Sequence, residues 1–514
     1  MKQFHSLFIK LNSILHQFIN STISHSVEAN DTDNLRYHHE KIDPKANQET
    51  TPEQDEQIRV PSIWVFEAYP PSFINNFKAS IEKLGWNSDE QVINPNITDT
   101  IDGMRGSFFG GGWINIGYIE DVSKKSRGFR HERQAHLPEG IKFIRASALQ
   151  FIPSTTILIF QFFFNEDVIT SLVKPLRDTY KTYIEPFDGG LRYYDVHHQK
   201  KAAVDVMRGY LRSICTNWIN ENIPGLFSSG ISDCYLPTCE IILLAKHTPY
   251  ERNVPFLDML DLNEYEAWKS EKLQGLYFQF PRFIGDELGR VILSGNINEI
   301  LPDKDLNEYG NISREDRIIH YLDDLDYTLG TWILYVIARH YEKHISAIRD
   351  SYGNMAVEDV SSTIKDIQTL DRELLQLQRD AIPFAENLNK YCQNEKAYTH
   401  GLYKFKTVAE KLMQTDLFEY IREYLNKSAI SIISSIEQMH SMGEHTSRIV
   451  ATITNKELNA TNIKLQRSMV RMTFVLVVLT IALVVIAVKD LVNPDCLHGI
   501  IRRIVDFNRV FSGL

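Results

Sequence analysis

His340 and His344 stand four residues apart in the run HYEKH, a spacing that puts two imidazoles on one helical face where they could hold one metal ion. Glu342 between them is the acid that would complete such a set. In the HExxH pattern the glutamate directly follows the first histidine, whereas Glu342 is turned about 100° further around the helix. A solvated helix face is therefore the preferred reading of the trio, with a divalent-metal site as the alternative. A second candidate is the glycine run GSFFGGG, in which Gly110, Gly111 and Gly112 with the preceding Arg105 could form an anion-binding loop. Neither GxxxxGK[ST] nor GxGxxG occurs there, and WINIGYIE follows directly, so a turn or bulge beside a strand is the preferred reading. Asp323, Asp324 and Asp326 near His320 could hold a divalent cation or form a charged solvated face. His197, His198, Lys200 and Lys201 follow the Gly189-Gly190 turn with no nucleophile nearby and are read as surface residues. No catalytic residue is assigned and no cofactor is expected, a divalent metal at His340, Glu342 and His344 being the alternative.

The elements that must position these residues fall into zones. Residues 1–25 carry apolar side chains at 4, 7, 8, 11, 14, 15 and 18, an amphipathic helix, and residues 26–60 are polar enough to read as a flexible linker. Residues 61–312 form an α+β domain, a mixed sheet with helices. Its strand candidates are 62–68, 113–119, 141–149, 155–164, 239–246, 276–280 and 291–294. Helices are expected over Ser72–Leu84, Val168–Ile184 with a break at Pro175, Lys200–Asn220 and Asn263–Lys272. Residues 313–470 turn helical, with strand signals absent. Val357, Val360, Ile364, Ile367 and Leu374 take heptad positions, Asp371 interrupts them, and Pro383 is expected to end the helix. The zone reads as a helical bundle or coiled-coil stalk.

Met472 to Val488, MTFVLVVLTIALVVIAV, carries no charge and spans roughly 25 Å as a helix; Arg471 and Lys489 at its flanks can reach the headgroups of a ~30 Å hydrocarbon layer. Residues 471–489 are accordingly expected as one C-terminal transmembrane helix and 490–514 as a short amphipathic tail. The first 25 residues lack the uninterrupted apolar core of a secretory signal. Lys456, Lys464, Arg467 and Arg471 precede the span, against Lys489, Arg502 and Arg503 after it. Both features place the N-terminal body in the cytoplasm.

The 514 residues, 43% apolar and 24% charged, provide for a sizeable core, and 55 basic against 66 acidic residues give a net charge of −11 that argues against nucleic acid as a partner. The five cysteines form no CxxC pair and read as reduced thiols. The expected partners are the lipid bilayer, further copies of the chain, and an unknown protein or small-molecule ligand. The order of an α/β body, a long stalk helix and a C-terminal membrane region resembles the CorA magnesium-channel plan in architecture only. No Gly-Met-Asn follows the span and no second span is present, so no residue is carried over and no family is claimed. The reading is a membrane-anchored interaction or sensor protein, more in keeping with a non-enzyme. A membrane-tethered enzyme, such as a metal-dependent hydrolase using His340 and His344, is the alternative, and an oligomeric pore the second.

Overall fold

The computed structural model describes residues 34–87, 96–106, 112–124, 132–187, 190–229, 236–262, 267–280, 289–300, 322, 325–353, 360–408, 416–488 and 502. The expected N-terminal amphipathic helix lies outside these residues, as do Gly110, Gly111, Lys489 and the tail apart from Arg502. The chain divides into two compact units, Met1–Ile348 with Glu373–Glu437 and Arg349–Arg372 with Gln438–Leu514.

In chain order, a π-helical turn His38–Ile42 leads into α1 (Asp43–Glu49), β1 (Ile58–Arg59) and β2 (Ser62–Tyr69). There follow α2 (Ile74–Lys83), α3 (Ile97–Gly106), β3 (Gly112–Asp121), β4 (Glu132–Ala135), β5 (Ile141–Ile152) and β6 (Thr155–Phe164). Next come α4 (Glu166–Ile169), α5 (Val173–Arg177), β7 (Tyr183–Phe187), β8 (Gly190–Tyr194), α6 (Val196–Asn222), β9 (Thr238–Leu244) and α7 (Pro255–Met259). The remainder is β10 (Ala267–Ser270), β11 (Leu276–Gln279), β12 (Arg290–Asn296), α8 (Ile297–Ile300), α9 (Asp326–Gly353), α10 (Val360–Gln393), α11 (Glu395–Thr399), β13 (Phe405–Thr407) and α12 (Leu417–Val488).

The first unit is a mixed α+β body built on an eleven-stranded sheet of order β13-β10-β11-β12-β9-β2-β6-β5-β3-β4, with β1 pairing onto β9. The β12–β9 and β3–β4 pairs are parallel and the others antiparallel. β2 and β6 are buried along their whole lengths, which is why they read as near-continuous apolar runs rather than alternating ones. Helices cover both faces. Trp218 of α6 meets Phe160 and Phe162 edge-on with ring centroids 6.1 and 5.9 Å apart, while Trp332 of α9 meets Phe66 at 5.5 Å on the opposite face.

Several sequence expectations need correction. Val168–Ile184 is not a broken long helix. Pro175 lies in the first turn of the five-residue α5, where its missing N–H is tolerated, and the chain then extends into the β7–β8 hairpin, where Tyr183 stacks on Tyr194 at 4.9 Å. The described part of Asn263–Lys272 forms the strand β10, held between β11 and β13 by pairings, Trp268 with Phe278 and Ser270 with Phe405, that no local pattern announces. β13 also means that strands do not stop near residue 313. α10 runs through Pro383 to Gln393; buried Ala381, Phe384, Ala385 and Leu388 on both sides of the proline hold the helix together despite the lost backbone bond.

The stretch read as a linker carries α1 and β1 from residue 43 onward. Lys200, read as a surface residue, is fully buried, and its ammonium donates to the Leu176 carbonyl (2.7 Å), Thr51 Oγ1 (2.9 Å) and the Asn47 carbonyl (3.3 Å). One side chain thus ties α1 and α5 to α6, and its desolvation draws its pKa down to about 8.

α12 is a single 72-residue helix whose two ends differ in burial. Phe418, Ile421, Leu425, Ala429, Ile432, Ile436, Met439 and Val450 are buried, spaced as one helical face. In the first unit this face is also hydrogen-bonded: the Phe418 carbonyl accepts from the Tyr398 hydroxyl (2.6 Å), and the Arg422 guanidinium donates to the Cys392 carbonyl (2.8 Å). Beyond Thr454 the described side chains are exposed, apart from half-buried Phe474 and Val478. Among the described residues this is the one helix long and apolar enough, by length and composition, to cross a membrane.

In the second unit the Tyr352 hydroxyl donates to Asp371 (2.7 Å), which explains the polar residue that interrupts the heptad pattern. Gly443 lies against this pair: a Cβ there would stand 3.3 Å from the Tyr352 hydroxyl. Ile367, one of the heptad residues, is buried.

Candidate functional site

The first unit carries a cleft of about 620 Å³ on the α9 face of the sheet, lined by Trp113, Asn115 and Tyr118 of β3, Arg145 of β5, Lys272, Asp326 and Tyr327 at the start of α9, and residues 401–403. Its floor depends on an irregularity in β3. Asn115 pairs with Ser147 but Gly117 with Ala146, so one extra residue sits in β3 between them, with Gly117 at φ 135°. Strict alternation would send Tyr118 to the face opposite Trp113 and Asn115. The bulge returns it to their side, opposite Arg145, where its ring meets Phe143 at 6.0 Å.

At the centre is the Asp326 carboxylate, 1% exposed, accepting from Arg145 Nη2 (2.8 Å), Ser147 Oγ (2.9 Å) and Trp113 Nε1 (3.2 Å). A carboxylate in the first turn of a 28-residue helix also gains from the helix dipole, so Asp326 joins β3, β5 and α9 at one point. The opposite wall is the turn before β13. Gly401, at φ 70°, brings its backbone so close to Tyr327 that a Cβ would lie 2.8 Å from the ring. The Tyr403 N–H donates to Thr328 Oγ1 (3.1 Å), and Lys272 donates to the Tyr403 hydroxyl (3.1 Å) with its ammonium 4.2 Å from the ring centroid. The cleft thus presents four aromatic rings, two cations and one carboxylate. Its volume suits a small molecule, and its residues can bind and orient but include no activated nucleophile.

The residues singled out from sequence lie elsewhere. His340 is buried, edge-on to Phe227 at 5.8 Å, and burial with the neighbouring His344 lowers its pKa to about 4. The His340 and His344 ring centroids are 6.4 Å apart. Glu342 points to α12, accepting from Ser428 Oγ (2.6 Å) and the Tyr424 hydroxyl, with Arg339 3.3 Å away. No cluster of three metal-ligating side chains occurs among the described residues. Arg105 ends α3 and donates to the carbonyls of Tyr69 (3.1 Å) and Ser154 (3.3 Å) and to Thr156 Oγ1 (3.3 Å), bracing the β5–β6 turn. Gly112 opens β3, and a Cβ there would meet the Met104 side chain at 2.7 Å. Arg471 lies on the bare end of α12. Of the Asp323, Asp324, Asp326 group only Asp326 is described, and it serves the cleft.

On the α6 face a second charged cluster centres on the buried pair Arg208 and Glu240, with Arg212, Asp261 and Lys201 partly exposed at its edge. Arg208 and Arg212 bind the Glu240 carboxylate of β9, Arg208 also reaches Asp261 (3.0 Å), and Lys201 binds the same aspartate. Burial pushes the Glu240 carboxyl up, but Arg208 and Arg212 outweigh it and hold it below the usual range. Glu67 is paired with no such cation among the described residues. It accepts from the N–H groups of Ala68, Phe227 and Ser228 (2.9, 2.8 and 3.1 Å) and from Ser228 Oγ (2.7 Å), while burial raises its pKa to about 7. Cys215, Cys239 and Cys392 are buried free thiols.

No protein-family model matches the chain, and no curated protein matches it.

Proposed function

We propose that this chain is a membrane-anchored binding or sensor protein: a cytoplasmic α+β body whose aromatic cleft takes a small-molecule ligand, joined through a helical stalk to one membrane span at the end of α12. The observation that carries it is the change along α12. The face from Phe418 to Val450 is buried, whereas Leu476, Leu483 and Ile486 are 61, 64 and 65% exposed in a run with no charge. Exposed apolar side chains on every side of a helix cost free energy in water and none in hydrocarbon. The cations before the run, Lys456, Lys464, Arg467 and Arg471, support a cytoplasmic body. The cleft supports binding over catalysis, since Asp326 is engaged by Arg145, Ser147 and Trp113, and Lys272 by Tyr403, rather than arranged around a nucleophile.

The test is alkaline carbonate extraction of membranes from cells expressing the full chain, with protease added to closed vesicles of known orientation. Retention in the pellet and digestion of the body only from the cytoplasmic side are expected. Release into the supernatant, or protection of the body until the vesicles are opened, would refute the reading.

A further inference from the structure

We propose that the last part of α12 pairs with the same segment of a second copy of this chain, parallel and in register, along a seam from Leu458 to Ile486. The proposal rests on the reading of the helix end as a span and names the partner that covers it. Leu458, Leu465, Met472, Leu479 and Ile486 recur every seven residues, and Asn462, Met469, Leu476 and Leu483 fall between them, giving the alternating 4-3 spacing of heptad positions d and a. All eight apolar members of this set are more than half exposed. Within the run 472–488 every leucine lies on the seam.

The positions beside and behind the seam agree. Thr473, Thr480, Ala482 and Ala487, all the small residues of the run, occupy flanking e and g positions, where small side chains let helices approach closely in lipid, and Val475 is the one bulky residue among these flanks. Both threonine hydroxyls donate to their own helix, to the Met469 (2.8 Å) and Leu476 (2.7 Å) carbonyls, which leaves no hydroxyl unsatisfied beside the seam. The outward b, c and f positions of the run hold Phe474, Val477, Val478, Ile481, Val484, Val485 and Val488, bulky side chains suited to lipid tails.

Between residues 455 and 471 the charged residues, Lys456, Glu457, Lys464, Arg467 and Arg471, all take b, c or f, and the flanks carry uncharged Asn459, Thr461, Gln466 and Ser468. Two identical copies can therefore meet without opposing like charges, a condition a chemically different partner would not require. Ile463 and Val470 at b and Ala460 at f are the apolar residues of this stretch that lie off the seam. Asn462 at an a position is the kind of core polar residue that fixes register between identical helices. The seam is roughly 43 Å long at 1.5 Å per residue. A strip about 10 Å wide on each helix would hide on the order of 900 Å² in all, near what a specific interface needs.

The test is disulfide trapping in native membranes, using the full chain with Cys234→Ser and Cys496→Ser as background. Single variants Leu465→Cys, Met469→Cys, Leu476→Cys and Leu483→Cys lie on the seam, and Arg467→Cys and Ile481→Cys lie behind it. After mild oxidation the four seam variants are expected to give a covalent two-chain band at least fivefold stronger than the two outer ones, because only a and d positions bring like residues within disulfide reach. Equal bands at all six positions, or none while the chain stays in the alkaline-extracted pellet, would overturn the pairing and leave the span reading intact. Loss of the chain from that pellet would overturn the span reading and the pairing built on it.

Discussion

The two ends of α12 use similar residues for opposite purposes. Ile421, Leu425, Ile432 and Ile436 lie on one face among polar neighbours, and all are buried. Leu476, Leu479, Leu483 and Ile486 lie in a run with no polar face, and all are bare. The difference teaches that apolar content alone does not say what a helix buries against. A helix with one apolar stripe needs a protein neighbour, whereas one that is apolar all round needs a different solvent.

The largest effect should come from charging the bare end. Leu476→Lys with Leu483→Lys costs about 6–8 kcal/mol on an insertion scale and should move the chain from the alkaline-extracted pellet to the supernatant. Retention of this variant would break the comparison. Next, Ile432→Ala at the packed end should destabilise by about 2–5 kcal/mol through transfer and cavity terms, read by denaturant unfolding followed by tryptophan fluorescence. Leu476→Ala should leave that transition unmoved.

A third expectation concerns pH at the helix that packs beside α12. The folded-state pKa of His340, about 4, lies below its ordinary value of 6.5, so between these values the unfolded chain binds more protons. Stability should be intact above pH 6.5 and fall toward pH 4, with a limiting slope of about 1.4 kcal/mol per pH unit. His340→Gln should flatten that dependence in a urea midpoint measured against pH. The smallest effect is expected at Glu342. Glu342→Ala leaves the Tyr424 and Ser428 hydroxyls without their acceptor, a loss of about 1–3 kcal/mol read as a lower midpoint. Glu342→Gln, which keeps an acceptor, should lose less.

How much of this was legible in the sequence depends on the range of the forces involved. Runs such as SIWVFEAY and TTILIFQFFF declare buried strands by themselves, and VHHQKKAAVDVMRGYLRSICTNWINEN carries the helical period of α6, so the α+β body and the long terminal helix could be read directly. β10 and β13 could not. β13 is a strand through its pairing with β10, more than 130 residues away, β10 lies between that strand and the nearby β11, and short polar strands have no pattern of their own.

The cleft was missed for the same reason. Trp113, Arg145, Asp326 and Tyr403 are brought together by the sheet, the β3 bulge and the Gly401 turn. Arg145, in the middle of the largely apolar run IKFIRASAL whose other charge, Lys142, lies at its exposed start, was the one local signal, since a buried arginine requires a buried partner. Lys200 misled because its neighbours His197, His198 and Lys201 look solvated, yet it falls on the inward face of α6 with Val196 and Val204. The His340 and His344 pair was a matter of spacing alone, and burial against Phe227 accounts for the first of them.

The central claim, that α12 leaves water at its bare end, is tested most directly by a cysteine scan of residues 460–488 in native membranes, reacted with a membrane-impermeant maleimide. Labelling is expected through about residue 470 and should cease over 472–488 on every side of the helix. Continued labelling through Leu476, Leu479 and Leu483 would place that segment in water and contradict the account.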